Sequence, residues 1–386
     1  MLFRDIIGHQ ELKNRLINTV LNNRVSHAQL FLGVAGTEKL AMAIAYAQFI
    51  SCENKQHYGS ESDLIADSCG QCPSCVKYQK LVHPDLHFIF PVATTKVITK
   101  DPVSALFMKE WREALIDSNY YLNLNEWYEK IGIENKQGKI GVKDANHIIK
   151  TLGLRSYESE YKVVIIWMVE KLFHSAAPKL LKSFEEPAEK TLFILISENH
   201  DQMLKTILSR VQLLKFKPHS DALIQNYLEQ NFRLEPKRME EIIYLSDGVF
   251  SNVFKQLNTT DHDNIFFSHF REMMLFAYQN NFVKMREKSN EIGRLNREKI
   301  KQLLQYGMRI TRMCMLYDIG NPKMVRSANE ELDFVSKFSK FVNQRNAEPL
   351  FNILSEAEFH IGRNVNAKMV LLDTMLKASL EIAKEK

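Results

Sequence analysis

The chain has 386 residues, of which 45% are hydrophobic and 25% charged, and a net charge of +5. That length exceeds one ordinary core and predicts two or three domains, and with no run approaching about eighteen apolar residues, no membrane-spanning helix is expected. So mild a positive charge permits contact with a polyanion such as DNA without demanding it.

The N-terminus, MLFRDIIGHQELKNRL, is charged early and lacks a signal-peptide core, so the expected location is cytoplasmic. Leu12, Leu16, Ile17 and Val20 recur at helical spacing. AQLFLG reads as a short buried strand entering a glycine loop, and TEKLAMAIAYAQFISC as a helix of small residues. Strand, glycine loop, helix is the setting of the phosphate loop G-x-x-x-x-G-K-[ST]. Its backbone N–H groups cradle phosphate, its lysine neutralises charge and its hydroxyl holds magnesium. Gly33, Gly36 and Lys39 suit such a loop, but Glu38 stands at the second glycine position and Leu40 at the hydroxyl position. A carboxylate about 4 Å from a phosphate charge costs roughly 1 kcal/mol in water-like surroundings and roughly 4 at an effective dielectric of 20. Leucine cannot ligate magnesium at all. Taken alone, the octet reads equally as a plain glycine turn before a helix.

Three of the five cysteines fall in CGQCPSC, which in a reducing compartment points to a metal site rather than a disulfide framework. Cys69, Cys72 and Cys75, with Cys52 as the fourth thiolate, suit a tetrahedral structural zinc. His57 or His83 are alternative fourth ligands, and reduced cysteines without metal are the plainer reading. Cys314 lies alone in the apolar helix GMRITRMCMLY and belongs to core packing.

DLHFIFPV is a second strand. Residues 93–139 then break the rhythm, carrying Trp111, Tyr120, Tyr121, Trp127 and Tyr128 among charges and ending in the polar turn ENKQGK. This reads as an inserted helical excursion. Next come the helix VKDANHIIKTLGL, the strand KVVIIWMV, the helix APKLLKSFEE stopped by Pro187, and the strand TLFILIS. Strands alternating with helices predict a parallel α/β sheet covered on both faces. The strand KVVIIWMVEKL exits through Trp167 and Met168, with Glu170 beyond, where phosphate-loop ATPases place a magnesium-holding acid. From about residue 216 only helices follow: a small unit ending near 262, then a helical remainder with turns near DIGNPK and GRNVN.

IIGHQELKNRL, RVSHAQLFLG, CGQCPSC, HPDLHFI, YKVVII, LLKSFEEPAEKTLFILISEN, TILSRVQ and RNVNAKM occur in this order. Together they resemble the delta-prime subunits of bacterial DNA polymerase III clamp loaders, over residues 6–216 and the C-terminal RNVN segment. The resemblance implies an AAA+ type α/β domain over 1–215, a helical lid over 216–262 and a helical collar over 263–386. It implies that Arg210, of a serine-arginine-cysteine motif in which Val211 replaces the cysteine, projects as an arginine finger into a neighbouring subunit's ATP site. It implies that Asn252 replaces a sensor arginine in SDGVFSNVF, and that Ser197 and Asn199 mark the first-sensor strand end. The partners it implies are the gamma/tau and delta subunits and, through them, the sliding clamp and primer-template DNA. On this reading Gly33, Gly36 and Lys39 are the scaffold of a lost site, and ATP is either not bound or not hydrolysed. The aromatic insertion either packs onto the first domain or contacts another replication subunit. An ATP-hydrolysing gamma/tau type subunit is the alternative; a stand-alone DNA-binding protein is a third, without a helix-turn-helix or basic stripe to support it.

Overall fold

The computed structural model describes residues 1–58, 65–133, 136–153, 155–258, 265–320, 329–363 and 365–383. The turn expected at 321–323, the lid–collar boundary near 262, Asn364 of RNVN and part of the polar turn at 134–139 lie outside the described residues. Two compact units emerge: residues 1–227 with 247–252, and residues 228–246 with 253–386.

The first unit holds the strands β1 (Ala28–Gly33), β2 (Gln56–Tyr58), β3 (Ile65–Asp67), β4 (Leu86–Ile89), β5 (Lys162–Trp167), β6 (Thr191–Ser197) and β7 (Gln212–Phe216). Five of them form one parallel sheet in the order β4-β5-β6-β1-β7, while β2 and β3 pair antiparallel beside it in sequence. The continuous apolar runs of β5 and β6 follow from burial on both faces. Val163, Ile165 and Trp167 join Leu192, Ile194 and Ile196 on one face; Val164 and Ile166 join Phe193 and Leu195 on the other. The first face is covered by α1 (Gln10–Leu21), α2 (Lys39–Ser51), α3 (Pro73–Gln79), α4 (Met108–Asp117) and α5 (Leu124–Lys130). The second is covered by α6 (Val142–Leu152), α7 (Ala177–Glu185) and α8 (Lys205–Leu208). Every residue of α2 is buried, which its alanines at 41, 43, 45 and 47 permit by letting neighbours approach from all sides.

The aromatic excursion is packed inward. Trp111 stacks on Phe90 at 4.1 Å, Trp127 meets both rings edge-on at 5.1 and 4.9 Å, and Trp167 lies 5.1 Å from Trp111. Trp127 donates its indole N–H to the Pro91 carbonyl at 2.8 Å. These rings are therefore part of the first-face core, and of the two readings offered for residues 93–139 the packing one describes their placement.

Asp85, just before β4, anchors the loop that precedes β5. Its carboxylate accepts the backbone N–H groups of Tyr157, Glu158 and Ser159 at 2.7–2.8 Å. Burial alone would raise its pKa, but those three donors outweigh it and hold the carboxyl below the ordinary carboxylate range. A folded pKa below the unfolded one means stability that is present above about pH 4 and is lost as pH falls through the folded value. Asp85→Asn is expected to flatten the acid limb of the stability–pH profile between about pH 5 and 2, and Asp85→Ala to cost about 1–3 kcal/mol at neutral pH. Urea titrations at several pH values measure both; an acid limb unchanged in Asp85→Asn would remove this role.

α9 (Asp221–Asn231), α10 (Pro236–Leu245) and α11 (Phe250–Asn258) follow the sheet. The second unit is completed by α12 (Ile265–Tyr278), α13 (Phe282–Ile292), α14 (Arg297–Asp318), α15 (Asn329–Phe338), α16 (Ala347–Gly362) and α17 (Ala367–Ala383). In it α14 packs along α16, and α17 against α12, α13 and α16. Cys314 is fully buried in this helical core, as its apolar neighbours require.

Candidate functional site

The glycine loop joins β1 to α2 in the position a phosphate loop requires, yet its interior is taken by its own side chains. Lys39, the first residue of α2, turns its ammonium back to the carbonyls of Gly33, at 2.9 Å, and Val34, and to the Thr37 hydroxyl at 2.8 Å. Burial pushes this lysine down to about 8, against the opposing pull of Glu198 and Glu170. Gly36 has φ +78°, and a Cβ there would come within 1.9 Å of the Ser251 hydroxyl, so the loop closes onto that segment only because the residue is glycine. Leu40 is a core residue.

Glu38 is not an open carboxylate facing the loop. It is fully buried, with Oε2 2.9 Å from His9 Nε2 and 3.2 Å from His219 Nε2. Burial alone would raise its pKa; interaction with His219 and His9 outweighs that and holds the carboxyl at about 2. The chain turns into place through His9 itself, a left-handed residue at φ 52° that caps α1.

The exit of β5 carries no acid. The Trp167 side chain is in the aromatic core and Met168, at φ 59°, turns off the strand with its side chain buried. Glu170 lies one short turn beyond, where Oε1 accepts the backbone N–H of Glu198 at 3.0 Å. Ser197 closes β6 inside the protein, and Asn199 caps the next turn by accepting from Asp201 N–H at 2.9 Å. Asn252 lies in the first turn of α11.

Arg210 sits between α8 and β7 with its side chain 35% exposed. Nε donates to Glu185 Oε1 at 2.5 Å, and Nη1 to the Thr206 carbonyl at 2.9 Å and the Ser209 hydroxyl at 3.0 Å. Val211 packs on the second-face core, an apolar duty that a cysteine would meet as well.

The four cysteines meet. Cys52, Cys69, Cys72 and Cys75 bring their sulfurs within 4.8 Å of one another, a group able to hold a metal ion. Cys52 is the fourth member; His57 stands in β2, and His83 packs its ring 4.6 Å from Tyr78. The turn is built for sulfur: Gly70 at φ +73° lets the N–H groups of Gln71 and Cys72 point at Cys69 Sγ, at 3.4 and 3.3 Å. Pro73 then starts α3 with Cys72 as its cap.

Sequence reasoning missed two sets of residues. His9 and His219 lie at opposite ends of the first unit's sequence, and nothing in their local patterns links them to Glu38. Glu185 was in plain view in SFEEP, but only the fold shows that it meets Arg210.

The family model described as "DNA polymerase III, delta subunit" matches residues 8–220. DNA polymerase III subunit delta' of Bacillus subtilis (strain 168) is 29% identical over 213 residues, covering 55% of this chain and 49% of that protein. DNA polymerase III subunit gamma of Buchnera aphidicola subsp. Acyrthosiphon pisum is 25% identical over 265 residues, covering 67% and 58%. DNA polymerase III subunit delta' of Pseudomonas aeruginosa is 27% identical over 225 residues, covering 58% and 53%. The chain thus spans about half the length of the curated relatives it matches. Among the described residues no helix is long and apolar enough to cross a membrane.

Proposed function

The chain belongs to the family of DNA polymerase III delta subunits, and from that premise we propose that it is a delta-prime-like clamp-loader subunit that does not hydrolyse ATP itself. It joins gamma/tau and delta subunits, offers Arg210 to a neighbour's ATP, and supports placement of the sliding clamp on primer-template DNA. Its organisation is an α/β body over 1–215 carrying a structural zinc on Cys52, Cys69, Cys72 and Cys75, a lid over 216–262 and a collar over 263–386.

The observation that carries the reading is the occupied phosphate loop. Lys39 bonds its own loop, Glu38 is buried between histidines, Leu40 replaces the magnesium ligand and β5 ends in Trp167 and Met168. Four positions that a working site needs are spent on packing or internal bonding. Arg210, by contrast, keeps a third of its side chain in solvent. Gly33 and Gly36 survive because the loop's shape still needs them.

The second reading, an ATP-hydrolysing gamma/tau type subunit, draws on the gamma relative aligned over 67% of the chain. Equilibrium titration of the isolated full chain with a fluorescent ATP analogue and magnesium separates the two. No saturable binding in the micromolar range is expected; micromolar affinity with turnover would establish the gamma/tau reading instead.

A further inference from the structure

His9, Glu38 and His219 are more than the filling of a disused loop. Both imidazoles bring Nε2 close to one carboxylate oxygen, at 2.9 and 3.2 Å, and their rings lie 4.5 Å apart. In a tetrahedral site with metal–nitrogen and metal–oxygen bonds near 2.0–2.1 Å, neighbouring donor atoms stand about 3.3 Å apart. The three donors are thus already close to ligand spacing, and all lie within 4.8 Å of one another. Glu38 Oε1 and His219 Nε2 are buried without a hydrogen bond, the latter close to the carboxylate but misaligned for one. Leaving two polar atoms buried without partners is unfavourable, and a cation would satisfy both. Phe216 and Phe250 present ring edges to His9 and His219 at 5.1 and 5.2 Å, an apolar wall against water. The cations that face Glu38, Lys13 and Lys39, spend their ammonium groups on backbone carbonyls: Lys13 on Ile6, Lys39 on Gly33 and Val34.

We propose that His9, Glu38 and His219 form a second metal site, separate from the cysteine cluster, for a divalent transition-metal cation of the zinc and cobalt class. Two imidazole nitrogens and one carboxylate suit such ions, whereas calcium and magnesium require oxygen ligands. The ion ties the cap of α1, the start of α2 and the segment before α9 together beside the phosphate loop, and so holds closed the place where a nucleotide would enter. This does not depend on the clamp-loader assignment.

The test is cobalt titration of the metal-free full-length chain, read by absorption. A thiolate site gives intense sulfur-to-cobalt bands in the near ultraviolet; a nitrogen-oxygen site gives only weak visible bands. The expected result is a weak-band equivalent that Glu38→Gln abolishes while leaving any thiolate bands intact. A wild-type chain that shows no weak-band equivalent in excess cobalt overturns the proposal, and the three residues are then an internal polar triad only. If Glu38→Gln fails to fold, His219→Asn and His9→Asn replace it, and retention of the weak band in both also overturns the proposal. Metal content of the purified chain by mass spectrometry gives an independent count.

Discussion

Arg210→Ala is expected to depress the DNA-stimulated ATPase of the reconstituted clamp-loader complex by about 10³-fold, without weakening assembly. An arginine supplied in trans stabilises charge on the transferring phosphoryl group and is worth about 10³–10⁵ in rate, whereas its contribution to this chain's own stability is small. Arg210 is held by Glu185, but the pair is exposed on both sides, at 35% and 45%, and such pairs contribute about 0–1 kcal/mol. That is little to give up when a phosphate offers itself, and the Thr206 carbonyl and Ser209 hydroxyl that also hold Nη1 are exposed contacts as well. Arg210→Lys should recover little, since an ammonium lacks the planar fork that matches phosphoryl oxygens. Size-exclusion profiles of wild-type and variant complexes should coincide. Turnover unchanged in Arg210→Ala would remove the finger role and leave Ser209 and Arg210 as a surface loop.

What could be read before the fold was known follows from how local the physics is. β5 and β6 announce themselves because burial on both faces demands unbroken apolar runs, and α2 because small residues continue at helical length. That Leu40, Trp167 and Met168 cannot ligate magnesium is equally legible, since each residue type decides its own chemistry. The fate of Glu38 is not. As a bare residue in a phosphate loop it is a repulsive charge; in the fold it is buried between two histidines that only chain topology brings to it. The aromatic excursion lies between these extremes. That it is a helical excursion can be read from the break in the strand rhythm, but that Trp111 and Trp127 enter the main core depends on Phe90 and Trp167, which flank the insertion in sequence and meet it only in space. Arg210 and Glu185 show the same limit, a polar contact between the end of α7 and the loop after α8.

Removing metal from the cysteine cluster is expected to cost the first unit about 4 kcal/mol or more, lowering its melting temperature by about 8–16 °C. The fit to zinc is in the sulfur spacing. Cys52 and Cys69 stand 3.7 Å apart, and Cys69 and Cys75 3.9 Å; four thiolates at 2.3 Å from a tetrahedral zinc stand about 3.8 Å apart. Backbone N–H groups already point at the sulfurs: Cys69 N–H at Cys52 Sγ, at 3.3 Å, and Cys75 N–H at Cys72 Sγ, at 3.5 Å. Such donors favour charged sulfur and orient it, as the outer partners of a metal site do. The hydrogen bond from Cys75 draws the Cys52 thiol down to about 5, while Cys75 is pushed far up by the same contact. A dication bound there opposes that second effect and favours the charged form of Cys75 as well. In the Glu38→Gln background, where only the cysteine cluster can hold metal, chelation and Cys75→Ala should therefore each lower the melting temperature, and chelation should add nothing to the cysteine variant, because both remove one site. A purified chain free of zinc, with a melting temperature indifferent to chelator, would show that the cysteines pack as reduced thiols.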